Sequence, residues 1–259
     1  MFEQFYKKGA CEIIKDNADI GFNEELKTIL CNLKMYEMIR GFSEITKLFD
    51  SHSEEKIYEN VDGLTYKDLK EFILSEESID NEKKRCFISL YELFEQTLGE
   101  IVRCILYKKN EIVLNPKSTI QCSELLGDGS KEDIVEKLIE KKFKSIMYTR
   151  NVENILSFIT RYSKSNIGKE IKNYLMSCSK LRNSLIHDQG VMSKSELSKM
   201  KNYIESEKKE DDNKENSNTD PNNISIIPSI EMIIDTMDIY YKVIQIICDD
   251  LNKEIDWID

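Results

Sequence analysis

Arg182, Asn183 and His187 fall within six consecutive residues, RNSLIH, and His187 is one of only 2 histidines in the chain. An imidazole takes up or releases a proton near neutral pH, its unperturbed pKa being about 6.5. A guanidinium keeps its charge and meets a phosphate with two parallel hydrogen bonds. An amide orients an imidazole or donates to an anionic oxygen. Together these groups suit attack of a ribose 2′-hydroxyl on the neighbouring phosphorus. Histidine would move the protons, and arginine would offset the charge of the pentacoordinate transition state. That reaction calls for no metal or other cofactor. It does call for two proton transfers, one from the 2′-hydroxyl and one to the departing 5′-oxygen. Two copies of the chain facing each other would supply two imidazoles and two guanidiniums to one pocket.

These side chains need a helix to hold them. In a regular α-helix, residues four apart are separated by about 40° and residues five apart by about 140°. A helix over 169–187 therefore places Asn183 and His187 on one face and Arg182 to the side, within reach through its long side chain. Leu175, Cys178, Leu181, Leu185 and Ile186 mark the buried side of that helix. Gly190 is placed to end it, because glycine tolerates the left-handed conformation beyond a helix terminus.

The rest of the chain reads as further helices. Residues 2–16 and 23–50 form two, the second carrying Leu26, Ile29, Leu30, Leu33, Met38, Ile45 and Leu48 at helical spacing, with Gly41 loosening it. Thr65 caps a short helix whose apolar face is Leu69, Phe72 and Ile73. Residues 82–109 carry the clearest amphipathic stripe, from Phe87 through Leu90, Tyr91, Phe94, Leu98, Ile101 and Ile105. A short strand or extended loop covers 111–122. Ser130 and Asp133 form a capping box that opens a helix to about Tyr148, and another helix covers 150–163. Ser193 to Glu196 is a second capping box, opening a helix to about Glu205. Residues 207–223, EKKEDDNKENSNTDPNN, contain no aromatic or aliphatic side chain and predict a flexible acidic and polar loop. A last helix over 229–255 must pack back on those before the loop. The fold class is all-α. Residues 1–75 form an N-terminal helical region, a candidate subdomain, and residues 76–259 the main helical domain.

Composition narrows the function. The 259 residues are 40% hydrophobic and 33% charged, with 9 Gly and 3 Pro, which favours long helices around a real core. A net charge of −11 repels nucleic acid over most of the surface, so any RNA contact must be local and basic. The 7 cysteines lack a C-x-x-C pair and mostly sit among apolar residues, which reads as reduced, buried thiols in the cytoplasm. With two distant histidines no zinc ligand set is available. The N-terminus does not read as a signal peptide, and no apolar run is long enough to span a membrane. His52, in the polar stretch FDSHSEEK, reads as a loop histidine.

The stretch RNSLIHDQG resembles the R-N-x-x-x-H motif of HEPN domains, an all-helical superfamily of ribonucleases and non-catalytic RNA-associated modules. The upstream aromatic helix FISLYELFEQTLGEIV also resembles that family, and the likeness spans about residues 82–255. It implies a HEPN-like helical bundle with additional N-terminal helices. Arg182 and His187 would be catalytic and Asn183 a polar assistant. It further implies a homodimer with a shared groove, metal-independent cleavage of RNA, and work in prokaryotic antiviral defence or as a toxin, with an antitoxin or activating protein as partner. Gln189 stands where many HEPN toxins carry a tyrosine, so control by modification of that tyrosine is not expected. The best local basic cluster is Lys137, Lys141, Lys142, Lys144 and Arg150, a weak RNA-contact candidate that also reads as a solvated helix face. Two alternatives stand beside this reading. Arg182 would simply bridge a neighbouring acid and His187 would pair with Asp188 at a helix end. The chain would then be a non-catalytic HEPN-like module that binds a partner protein.

Overall fold

The structure is a computed structural model, and it describes residues 9–41, 47, 49–55, 57, 65–114, 131–148, 151–187, 190–193 and 223–254. Seven α-helices carry the described part of the chain: α1 (Ala10–Gly41), α2 (Tyr66–Leu74), α3 (Glu76–Lys108), α4 (Lys131–Met147), α5 (Val152–Ser163), α6 (Lys169–His187) and α7 (Ile230–Glu254). A 3-10 turn, Asn110–Ile112, follows α3, and two three-residue strands, β1 (Val191–Ser193) and β2 (Asn223–Ser225), pair antiparallel. The all-α class expected from the sequence is the one observed.

The long aromatic helix is the axis of the molecule. Each of the other six α-helices packs against α3. Its inward stripe, Phe87, Leu90, Phe94, Leu98, Ile101, Val102 and Ile105, is fully buried. At the centre the Phe94 ring stacks on Tyr240 of α7, with centroids 4.1 Å apart and planes 8° apart. Helix α3 starts earlier than its apolar stripe suggests. Ser75 closes α2, donating its backbone N–H to Glu71 and Phe72, and its side chain accepts from the Ser78 N–H to open α3. Thr65 opens α2 with a reciprocal capping box to Asp68, as expected, yet Phe72 of the anticipated apolar face is exposed and Ile73 is the buried residue.

The N-terminal region departs from the expected two helices. The expected helices over 2–16 and 23–50 leave residues 17–22 between them, but α1 runs through that stretch without interruption. The reason is tertiary. Cys11, Ile14, Ala18, Phe22, Ile29 and Leu33 all turn to the same buried side, against α3 and α7. Gly21 lets that contact close up: a Cβ there would lie 2.9 Å from a methyl of Leu93. Leu30 and Met38, expected in the apolar stripe, are exposed, while Ile45 and Leu48 lie outside the described residues.

The strand pair was not anticipated. Ser193, read as the cap of a helix to Glu205, is the last residue of β1 and pairs with Asn223, the last residue of the expected loop. Residues 194–222, with that helix and almost all of the loop, lie outside the described residues, as do Ser130 and residues 115–122. The final helix α7 packs on α1, α3 and α5, as its apolar stripe requires. Among the described residues no helix is long and apolar enough to cross a membrane.

Candidate functional site

Helix α6 ends at His187, where the sequence places its end. Behind it, Leu175, Cys178 and Leu181 are fully buried and Leu185 nearly so, whereas Ile186 is 42% exposed instead of packed. The tip is fixed by Gly190. Its φ of +87° is the left-handed conformation expected of a helix-terminating glycine. Its N–H donates to Ser184 O at 3.0 Å, and Ile226 N–H donates to its carbonyl at 3.0 Å. Ser184 Oγ donates to Val191 O at 2.6 Å. A Cβ at position 190 would lie 2.5 Å from Ile226 O, so no other residue fits without moving the backbone. The helix tip is thereby tied to β1 and to the chain entering α7.

Three side chains were proposed for this tip, and each has a distinct setting. Arg182 is half-buried and leans across to α3. Its Nη2 donates to Glu92 Oε1 at 2.9 Å, and its Nη1 to Asn183 Oδ1 at 3.1 Å. Its guanidinium carbon lies 5.9 Å from the centre of the Tyr91 ring. Asn183 and His187 are both exposed. Arg182 and Asn183 line an open cleft of about 270 Å³ with Tyr91, Glu92, Glu95 and Ser179. His187 is not part of that lining; it stands one helical turn beyond Asn183, about 6 Å along the axis. The hydroxyl of Ser179 bonds Tyr91, whose own hydroxyl pKa is pushed up to about 12, chiefly by burial.

The cleft thus holds one permanent cation and two carboxylates. As it stands, Glu92 takes Nη2 of the guanidinium and Asn183 takes Nη1, so a phosphate would have to displace both. Arg182 does bridge a neighbouring acid, one of the two outcomes its sequence setting allows. That the partners are Glu92 and the Tyr91 ring is not visible in the sequence. Tyr91 was read as a core residue in the α3 stripe, and nothing in the periodicity reveals that α6 crosses α3 at this point. Asp188, the other anticipated partner, lies outside the described residues, as does Arg150 of the basic cluster.

Lys141, Lys142 and Lys144 are exposed on α4, which packs on α3 and α5. That helix reaches the same side of α3 as the cleft. Gly99 meets Phe143 and Met147, and Arg103 lies 4.0 Å over the Phe143 ring while its Nε approaches Glu140 at 3.3 Å. Glu92, Gly99 and Arg103 share one face of α3, and Gly99 stands about 10 Å along the axis from Glu92. The face of α3 that carries Glu92 therefore continues into the face that α4 covers. Comparison of the chain with protein-family models, with curated proteins and with solved structures returns no match.

Proposed function

We propose that the chain is an endoribonuclease that cleaves RNA by attack of a 2′-hydroxyl on the adjacent phosphorus, and that it works as a homodimer. The observation that carries this reading is the tip of α6: a guanidinium and an amide line a solvent-open cleft, and an exposed imidazole follows one turn later. In the proposed reaction Arg182 releases Glu92 and grips the two non-bridging oxygens of the scissile phosphate. Asn183, freed from Arg182, donates to one of those oxygens. His187 of one protomer removes the 2′-proton, and the second protomer's copy of the same histidine protonates the departing 5′-oxygen. The O2′–P bond forms and the P–O5′ bond breaks, leaving a 2′,3′-cyclic phosphate and a 5′-hydroxyl. The resemblance of RNSLIHDQG to the HEPN motif supports the same assignment, and the exposed lysines of α4 offer a local basic surface in an otherwise acidic chain. A role in antiviral defence or as a toxin, under an antitoxin or an activating protein, follows from that resemblance.

The test is incubation of the purified chain with RNA in EDTA, beside a His187→Ala variant. Cleavage that vanishes in the variant and leaves cyclic-phosphate ends supports the proposal. Cleavage that survives the substitution, or that requires a divalent ion, refutes it. The second reading, a non-catalytic module that binds a partner protein, draws on the Arg182–Glu92 ion pair, which occupies the guanidinium without any ligand. That reading expects no cleavage from either protein.

A further inference from the structure

Three thiols converge far from the α6 tip. Cys11 lies in the first turn of α1, Cys104 near the end of α3 and Cys248 in the last third of α7. None of the three is in a disulfide, and none has exposed surface. The Cys11 sulfur is hydrogen-bonded with the thiols of both Cys104 and Cys248, and Cys104 and Cys248 also interact with each other. The charged groups that face the cluster are Glu12 and Lys15 of α1 and Lys108 of α3. Cys86 and Cys178 are equally buried, yet no thiol acts on either, and burial pushes both up to about 12. Among the described residues no such group is arranged to hold a metal ion.

The three thiols are not equivalent. Cys11 receives hydrogen bonds from its two partners, which favours its thiolate, while Cys104 and Cys248 are shifted up as the donors and by burial. Cys11 also sits among the unsatisfied N–H groups of a helix start, where a thiolate is stabilised. It also lies nearest to an end of its helix. Helix α1 begins at Ala10, just after Gly9 with its φ of +91°, and helix ends fray first. Besides the burial of Ala10, Cys11 and Ile14, two polar contacts hold this first stretch of α1 on α7: Lys15 Nζ donates to Asp249 Oδ1 at 2.8 Å, and Asn252 Nδ2 donates to Glu12 Oε1 at 2.7 Å.

We infer that Cys11 is an oxidation site with two alternative resolving thiols, Cys104 and Cys248, so that a peroxide converts the cluster into a disulfide joining α1 to either α3 or α7. The Cys11 thiolate attacks one oxygen of the peroxide. An S–O bond forms, the O–O bond breaks, and hydroxide leaves and takes a proton to become water. The sulfur of Cys104 or Cys248 then attacks the Cys11 sulfur of the resulting sulfenic acid. The S–S bond forms, the S–O bond breaks, and the departing hydroxide carries off the attacking thiol's proton as a second water. Two thiols are oxidised and one peroxide is reduced to two waters.

Hydrogen peroxide added to the full chain, followed by alkylation in denaturant and peptide mass spectrometry without reductant, tests this. Two of the 7 cysteine thiols should disappear within one chain, as a mixture of Cys11–Cys104 and Cys11–Cys248 linkages. Cys104→Ser should send all linkage through Cys248, and Cys248→Ser all of it through Cys104. Cys11→Ser should abolish both, with circular dichroism confirming that each variant is folded. The oxidised wild-type chain should melt a few degrees higher, reversibly with dithiothreitol, because the cross-links close long loops. Oxidation confined to exposed Cys31 with no linkage at Cys11 overturns the inference, as does an unchanged loss of thiols in folded Cys11→Ser.

Discussion

Two helix junctions in this molecule gather reactive side chains, and they treat them in opposite ways. Where α6 crosses α3 and ends, Asn183 and His187 meet water, Arg182 reaches the cleft with 17% of its side chain exposed, and its acid partner Glu92 is 54% exposed. Where the start of α1 wedges between α3 and α7, Cys11, Cys104 and Cys248 are closed off from water and face one another. The first junction offers charge and hydrogen bonds to a solute. The second offers chemistry only to a small reagent that enters when the helix end opens. Exposure, more than residue type, separates a binding surface from a latent cross-link.

Substitutions at the open junction should change chemistry without changing stability. His187→Ala is expected to lower RNA cleavage by about two to four orders of magnitude, the usual contribution of a general acid or base. The melting temperature should hold, since an exposed side chain contributes within about 0.5 kcal/mol. Gel-resolved cleavage rates and a thermal melt, run together, check both halves; a large loss of stability would erase the contrast between the junctions.

Gly190→Ala should reverse that pattern. The new Cβ meets the Ile226 carbonyl at 2.5 Å in a backbone conformation that L-residues avoid. A cost of about 1–3 kcal/mol is expected from the backbone strain, measured by chemical denaturation. Cleavage should fall too, as the helix tip loses its tie.

A smaller effect sharpens the picture of the cleft. Glu92→Gln keeps an oxygen for Arg182 to bond and removes the charge that competes with phosphate. Exposed pairs of this kind contribute about 0–1 kcal/mol, so RNA cleavage should rise by up to about fivefold. Unchanged or reduced cleavage would mean that Glu92 positions Arg182 for the reaction instead of occupying it.

The smallest effect lies at the closed junction. Lys15→Ala removes the bond to Asp249 that helps hold the start of α1 on α7. Stability should fall by a few tenths of a kcal/mol, as for a surface ion pair. Labelling of Cys11 by a small alkylating reagent should become faster, while that of Cys178 stays as it was. Equal acceleration at both positions would show global opening and not fraying of one helix end.

Much of this was legible in the residues. The boundaries of α6, the terminating role of Gly190 and the buried stripes of α3 and α7 all follow from periodicity and local chemistry, and the structure reproduces them. The continuity of α1 was not legible, because the contacts that carry it through residues 17–22, such as Leu93 lying against Gly21, come from another helix. The β1–β2 pair was hidden because three residues are too few to show an alternation. Burial of Cys11, Cys86, Cys104, Cys178 and Cys248 agrees with the reading of their apolar neighbourhoods; Cys31 turned out exposed, and Cys122 lies outside the described residues. The meeting of three thiols, and of Arg182 with Glu92, depends on which helices cross and at what height. Sequence spacing along one helix carries no record of that.

The hydrogen bond from Ile226 to Gly190 gives the α6 tip an internal reporter. That amide is locked only while the helix end is seated against the chain entering α7. Its deuterium uptake would therefore count each unseating event, and saturating the cleft with a nucleotide should slow that count if the tip is the part of the molecule that grips it.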